Sequence, residues 1–283
     1  VNFHTNIVHI EKDGEILLKV DVDGESEDGL TDRSFMNIAD IYDFAETVDI
    51  EDIKPTIARQ IEYNTAISKE GMTGKWGSAV GKILMDTYGD NILNRAKAVA
   101  AAGSDARMNG CEMPVIINSG SGNQGISTTL PMAVFAEKMD IPEEKLLRAE
   151  FMAMLMIMYM KKHVGRLSPV CGAMVAGTGS AAGMTYMLGG SFEQVSGAVQ
   201  NMMGSVAGMF CDGAKGGCAV KVAACAGEAV YAAMYAMDGS MIGVSDGINS
   251  TLAEDTAKNM AKLSHEALAD VDMKVIEIMQ TKK

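Results

Sequence analysis

Three cysteines in glycine-rich surroundings constrain this chain more than any other feature. Cys171 lies in SPVCGAMVAGTGSAAG, whereas Cys211 and Cys218 lie in GMFCDGAKGGCAVKV. In an unbroken helix, thiols seven positions apart would be separated by about 10 Å, at ~1.5 Å of rise per residue. The three glycines between them disfavour a helix interior, since each costs roughly 1 kcal/mol there. The spacing therefore predicts a helix, a tight loop and a new helix, which lets both thiols converge.

Cys171 precedes this pair by 40 residues and lies between Pro169 and Gly172, where a helix is expected to break or begin. Three thiolates with no histidine close in sequence suit iron–sulfur or zinc, because soft sulfur ligands do not select magnesium or calcium. We therefore predict one metal site formed by the three cysteines. A zinc site completed by Cys225 or His163 is the alternative, although zinc usually takes ligands at short paired spacings.

The stretch SGSGNQG at Ser119–Gly125 precedes a helical run that is expected to begin near Ser127. Small residues with free backbone N–H groups at a helix N-terminus form an anion site, because the helix dipole and the unpaired donors point at the ligand. A substrate carboxylate would fit there. A plain glycine-rich capping loop is an equally good interpretation of these residues alone.

Positive charges accompany the cysteines in this acidic chain. Lys221 follows Cys218 by three positions, on roughly the same helical face, and Lys215 falls in the loop with Asp212. Lys221 is expected either to contact a substrate or cluster sulfide, or to form a surface ion pair. The cluster Lys161–His163 just before Cys171 is expected either to bind substrate and balance cluster charge, or to form a solvated helix end.

Four motifs together resemble the L-cysteine desulfidase family, which is related to the bacterial iron–sulfur L-serine dehydratases (alpha chain). They are SGSGNQG, KKHVGRLSPVCG at Lys161–Gly172, CDGAKGGCAVK at Cys211–Lys221 and DGI at Asp246–Ile248. The resemblance implies that Cys171, Cys211 and Cys218 hold a [4Fe-4S] cluster whose fourth iron has no protein ligand and binds substrate. It also implies a substrate-binding set: Ser119, Ser121, Asn123, Gln124, Lys215 and Lys221.

By the same resemblance, the expected reaction is α,β-elimination of L-cysteine to pyruvate, ammonia and hydrogen sulfide. L-serine dehydratase activity is the first alternative, and a non-enzymatic zinc-binding structural protein is the second. The small amino-acid substrate, L-cysteine or L-serine, is the expected ligand. Iron with an open coordination position acts as a Lewis acid, and a separate base must remove the α-proton.

The chain departs from the family where that base is expected. The desulfidases carry a Gly-Cys-Thr-Glu-Pro motif in an N-terminal half, and its cysteine is the proposed base. No such motif occurs here, and Cys111 does not match it. The catalytic base is therefore unknown, and we expect it in an N-terminal fragment missing from this chain or in a second subunit. The first residue, Val1, is in keeping with a cut or processed chain.

Composition narrows the functional class. The formal net charge of −13 argues against binding to nucleic acid or to an anionic membrane surface. Five cysteines, an odd number, fit a reducing cytoplasm better than a disulfide framework. The most apolar run, Phe151–Met160, is about half the ~20 residues of a membrane span, so we expect a buried helix. Assembly into a homo-oligomer stays open.

The periodicity predicts a mainly α (α+β) fold. Residues 1–24 alternate as strands do around Lys12-Asp13-Gly14, which predicts a β-hairpin. We place it in a domain of residues 1–30, as the remnant of an N-terminal α/β region, ahead of a helical cluster-binding domain of residues 31–283. Helices are expected over 34–47, 53–68 and 91–107, followed by a methionine-rich central helix and a small-residue helix after Cys171.

Overall fold

A computed structural model describes residues 7–21, 31–165 and 168–282 of the chain. The chain divides into two compact units, Val1–Phe35 and Met36–Lys283. Arg166 and Leu167, which belong to the motif before Cys171, lie outside the described residues.

The first unit contains an antiparallel hairpin of β1 (His9–Lys12) and β2 (Glu15–Lys19). Its turn residues Asp13 and Gly14 have φ of 53° and 84°. Positive φ at both central positions is what a type I′ hairpin turn requires, because its twist matches that of the strands. The predicted hairpin is therefore confirmed, while residues 1–6 and 22–24 of the prediction lie outside the described residues.

The second unit is helical, which confirms the mainly α prediction. Its described residues form eleven α-helices and one π-helical turn, Leu263–Ala267. The helices are α1 Ile38–Thr47, α2 Ile50–Gly71, α3 Val80–Tyr88, α4 Ile92–Met108, α5 Gly122–Met139, α6 Glu143–Val164, α7 Gly172–Met187, α8 Phe192–Val206, α9 Cys218–Met237, α10 Ala253–Lys262 and α11 Val271–Thr281.

Side-chain caps decide where the first helices begin. α1 begins four residues later than predicted, because the Asn37 side chain accepts a hydrogen bond from the Asp40 N–H at 2.8 Å. α2 begins three residues earlier than predicted, because Asp49 accepts from the Glu51 N–H at 3.0 Å. α4 agrees with its prediction within one residue at each end and is capped by Asn91.

α7 lies at the centre of the helical unit and packs against α5, α6, α8 and α9. Every residue from Ala173 to Met187 is buried. A Cβ at Gly179 would lie 2.6 Å from the Ala153 carbonyl oxygen, and one at Gly183 would lie 2.3 Å from Met132 Sδ. The predicted small-residue helix is thus confirmed, and its glycines allow close contact with α5 and α6.

α6 carries the methionine run. Met152, Met156 and Met160 are fully buried, as expected for a central helix surrounded by others. Flexible thioethers fill the irregular gaps left around small residues of neighbouring helices, so the run is explained by core packing.

α9 is the one helix in the described ranges that is long and apolar enough to cross a membrane, with a mean hydropathy of 1.2. Fifty-six per cent of that window is buried, and the helix packs against α4, α7 and α8. Contacts within this unit therefore account for the buried part of this helix.

Candidate metal and substrate site

Cys171 and Cys211 are brought together by a short backbone pairing. Val170 and Phe210 form an isolated antiparallel bridge. The Cys171 N–H donates to the Met209 carbonyl at 3.0 Å, and the Cys211 N–H donates to the Pro169 carbonyl at 2.6 Å. Two residues far apart in sequence thus lie on paired backbone segments, one on each side of the bridge.

Cys218 joins them from the start of α9. The chain leaves α8 at Val206, passes through a loop with Gly213 at φ 96°, and begins α9 at Cys218. The predicted helix, loop and helix are confirmed. Cys171 is the N-cap of α7, so two of the thiols lie at helix N-termini, where the dipole favours a negatively charged group.

The three cysteines line one cavity of about 190 Å³ together with residues from the glycine-rich loop. α5 begins at Gly122, five residues earlier than predicted, because Ser121 accepts a hydrogen bond from the Gln124 N–H at 3.4 Å and caps the helix. The complete lining comprises Arg107, Met108, Gly120, Ser121, Asn123, Gln124, Cys171, Gly172, Ala173, Cys211, Gly213, Ala214, Cys218, Lys221 and Val222.

Three of the four predicted loop donors reach the cavity. Ser121, Asn123 and Gln124 line it, whereas Ser119 does not. Ser119 has a φ of 45° and donates its hydroxyl to Asn118 Oδ1 at 3.0 Å. Gln124 is only 4% exposed, and within the described part of the chain its Oε1 has no hydrogen-bond partner. An unpaired buried acceptor beside a cavity is a feature of a binding site rather than of a closed loop.

Asp212 binds both predicted lysines. Its Oδ1 pairs with Lys221 and with Lys215, the latter at 2.5 Å, and Lys221 also donates to the Phe210 carbonyl at 2.9 Å. Hydrogen bonds from Lys215 and Lys221 lower the pKa of Asp212 to about 2. Lys221 lines the cavity, but Lys215 is not among the lining residues. The ion pair expected as one alternative for Lys221 is present, Lys215 forms a second one, and Lys221 adds a cation to the cavity wall.

Lys161 is the buried member of the basic cluster. It is 8% exposed, whereas Lys162 is exposed and His163 is half-buried, so a solvated helix end describes only part of this cluster. Burial lowers the Lys161 pKa, while the nearby Cys211 and Cys171 thiols act in the opposite direction. Lys162 instead donates to the Met36 carbonyl at 3.3 Å. One lysine of the three-residue cluster thus lies in the electrostatic environment of the cysteines.

The cysteines differ in their surroundings. Burial raises the pKa of Cys171, against a backbone hydrogen bond at Ala173 and the charge of Lys221, which lower it. Cys225 is fully buried with its Sγ 3.5 Å from Met209 Sδ, and burial raises its pKa as well. Cys225 is therefore a core thiol. Neither Cys225 nor Cys111 lines the cavity.

Sequence reasoning missed Arg107. It comes from the last turn of α4, lines the cavity, and donates from Nη1 to Asn123 Oδ1 at 3.2 Å. No local motif marks it, because its neighbours are those of an ordinary alanine-rich helix end.

Within the described residues, no three histidine, cysteine or acidic side chains are gathered closely enough to hold a single metal ion. The thiols of Cys171, Cys211 and Cys218 share a cavity without that convergence. In an iron–sulfur cluster each thiolate binds a different iron, so the ligands of a cluster need not converge on a single ion. A closed four-ligand zinc site requires tighter convergence.

Comparison with known proteins gives the relationship. The sequence model of the serine dehydratase alpha chain matches residues 10–277. This chain belongs to the serine dehydratase alpha chain family. The family is one of lyases, which agrees with the predicted class of enzyme; the match does not separate L-cysteine from L-serine as substrate.

Curated proteins from several bacteria align over nearly the whole chain. A UPF0597 protein of Lachnoclostridium phytofermentans is 44% identical over 99% of this chain and 67% of its own length. Those of Desulfitobacterium hafniense and Fusobacterium nucleatum are 43% and 41% identical, over 98% of this chain and 65% and 66% of their own lengths. The chain thus spans about two thirds of the length of these curated relatives. No solved structure matches it.

Proposed function

We propose that this chain is the cluster-bearing part of an iron–sulfur lyase that eliminates hydrogen sulfide and ammonia from L-cysteine. The observation that carries the proposal is the shared cavity, in which Cys171, Cys211 and Cys218 meet the N-terminus of α5. Membership of the serine dehydratase alpha chain family supports the lyase class. Five free cysteines support a reducing compartment such as the cytoplasm.

The proposed cofactor is a [4Fe-4S] cluster held by the three cysteine thiolates. When bound, such a cluster supplies an iron with an open coordination place, a Lewis acid toward the substrate. The chain's own contribution is charge and geometry. Two helix N-termini and the Lys221 cation favour thiolates at this position and oppose the effect of burial on Cys171, because positive charge stabilises the deprotonated ligands.

The proposed substrate position lies over the first turn of α5. Backbone N–H groups of a helix N-terminus suit a carboxylate, and Ser121, Asn123 and Gln124 add side-chain polar groups there. A substrate held by its carboxylate at this point would lie in the same cavity as the cysteines. Positioning of this kind lowers the entropic cost of the elimination.

Elimination itself transfers the α-proton to a base while the bond between Cβ and sulfur breaks and sulfide leaves. The resulting enamine takes up water and releases ammonia, which leaves pyruvate. No carboxylate or imidazole is among the described residues that line the cavity. We therefore assign the base to another segment or a second subunit, as the name alpha chain and the greater length of the relatives support.

Dehydration of L-serine is the second candidate, and the family description favours it. The two substrates differ in the leaving atom only, so the same carboxylate site and cluster serve both. A zinc-binding structural protein would require a closed ligand set, whereas His163 and Cys225 do not line the cavity.

The test is a pyruvate assay on anaerobically reconstituted protein, alone and mixed with the part of the Lachnoclostridium phytofermentans relative that lies outside the aligned region. We expect pyruvate and sulfide in equal amounts from L-cysteine with the mixture. Faster pyruvate release from L-serine would favour the second candidate. Cluster-loaded mixtures that release no pyruvate from either amino acid would contradict the lyase proposal, and zinc-loaded protein is the matched control.

A further inference from the structure

We infer that Arg107 is the specificity-determining residue that binds the substrate carboxylate. The inference deepens the proposed function and rests on it, since it assigns a residue to recognition of an α-amino acid at the same cavity. Arg107 belongs to neither the cysteine set nor the glycine-rich loop.

The first support is position. Arg107 lines the cavity with Ser121, Asn123 and Gln124, and its Nη1 donates to Asn123 Oδ1 at 3.2 Å. Nη1 also lies 3.1 Å from Met108 Sδ. These contacts fix one edge of the guanidinium group against the second residue of α5. A guanidinium group that is held along one edge has its remaining N–H donors available for a carboxylate.

Gly122 is the second support, because it makes room for the guanidinium. A Cβ at Gly122 would lie 2.2 Å from Arg107 Nε and 2.8 Å from Cζ. A larger residue at the first position of α5 would therefore displace the Arg107 guanidinium from that turn. The guanidinium and the backbone N–H donors of the helix N-terminus therefore converge on the same volume.

Charge balance is the third support. In the described part of the chain, Arg95 and Arg148 each pair with a carboxylate, but Arg107 forms no ion pair. The other cation on the cavity wall, Lys221, already pairs with Asp212. A half-buried guanidinium without a protein counterion in a cavity favours an anionic ligand from solution.

Gln124 points to an amino acid rather than to a simple anion. It is 4% exposed, and its Oε1 has no partner among the residues that the structure describes. In this cavity the Gln124 oxygen can accept from the ammonium group of an α-amino acid, while the Arg107 guanidinium binds the adjacent carboxylate. A site with such paired polar groups discriminates strongly against a ligand that lacks one of them.

The experiment is calorimetric titration of the anaerobically reconstituted protein with L-serine, L-cysteine and L-serinamide, which lacks the carboxylate. Two variants test Arg107 in different ways. Arg107→Gln removes the charge, whereas Gly122→Ala keeps the charge and displaces the guanidinium. Arg59→Gln removes a charge from an exposed position on α2 and is the matched control. Circular dichroism and thermal unfolding show whether each variant is folded.

We expect both test variants to bind the two amino acids at least tenfold more weakly, with Arg59→Gln unchanged and L-serinamide binding weakly to every protein. Equal affinity of Arg107→Gln and the parent would overturn the inference and leave the lyase proposal intact if pyruvate is still released. A tenfold loss of affinity in protein mixtures that release no pyruvate would support the carboxylate site and contradict the reaction. Failure of the parent to bind either amino acid would overturn both.

Discussion

Cys171 and Cys211 lie on paired backbone segments, in which Cys171 donates to the Met209 carbonyl and Cys211 donates to the Pro169 carbonyl. The protein therefore closes the long separation between these cysteines with main-chain hydrogen bonds. Because main-chain atoms make this pairing, the polypeptide itself brings two of the proposed ligands to one site. Preorganisation of this kind lowers the cost of binding a cluster.

We predict that Gly125→Ala destabilises the protein and displaces the first turn of α5. A Cβ at Gly125 would lie 2.0 Å from the Ile116 carbonyl oxygen. Asn64 holds that residue by accepting from the Ile116 N–H at 3.0 Å and donating to its carbonyl at 3.2 Å. Since this backbone cannot shift cheaply, we expect a loss of about 1–3 kcal/mol in the free energy of unfolding, measured in urea.

Gly208→Ala is the control for that substitution, because a Cβ at Gly208 meets nothing within 4 Å. Its free energy of unfolding should stay within about 0.5 kcal/mol of the parent value. Equal stabilities of the two variants would show that the close contact between residue 125 and the Ile116 carbonyl does not limit the size of the side chain at position 125.

A buried carboxyl group on α6 contacts residues of α2 and α5. Glu150 on α6 is fully buried, and Gln60 Nε2 donates to its Oε2 at 3.4 Å and to Thr129 Oγ1 at 2.7 Å. Burial raises the Glu150 pKa to about 8, although hydrogen bonds from Gln60 and Thr129 act to lower it. Glu150 is therefore protonated in the folded protein at neutral pH.

We predict that Glu150→Gln removes a loss of stability that develops as pH rises from 4.5 to about 8. The unfolded chain releases this proton near pH 4.5, and the folded protein retains it until about pH 8. The contribution of Glu150 to stability is thus complete below pH 4.5 and falls as pH rises through 8. The free energy of unfolding of Glu150→Gln relative to the parent should rise between pH 6 and pH 9.

Glu62→Gln, at an exposed position on α2, controls for the general effect of removing a carboxylate. If the Glu150→Gln and parent profiles run parallel from pH 6 to pH 9, Glu150 does not retain its proton and the account of the buried network is wrong.

Local signals explain what the sequence predicts well. The hairpin follows from period-two alternation around Asp13 and Gly14, and α4 and α6 follow from long apolar patterns. The loop between Cys211 and Cys218 follows from glycines that disfavour a helix. Each of these features depends on residues close together in the chain.

Features that depend on distant contacts were missed. Arg107 lies close against Gly122, which belongs to another helix, and nothing around Arg107 in the sequence indicates that contact. The start of α5 was placed too late, because glycines at its first turn resemble a loop although Ser121 caps the helix. Likewise, Glu150 stands in the sequence as the polar boundary of an apolar run, yet in the folded protein it is buried and hydrogen-bonded to Gln60 and Thr129.

The central claim is that Cys171, Cys211 and Cys218 together hold an iron–sulfur cluster, and iron and acid-labile sulfide analysis after anaerobic reconstitution tests it most directly. We predict four irons and four sulfides per chain for the parent, as the composition of a [4Fe-4S] cluster requires. Serine at any of the three positions should abolish stable incorporation, while Cys111→Ala and Cys225→Ala should retain it. A parent protein that takes up zinc without sulfide, or a Cys225→Ala variant that loses iron as completely as Cys171→Ser, would contradict the claim.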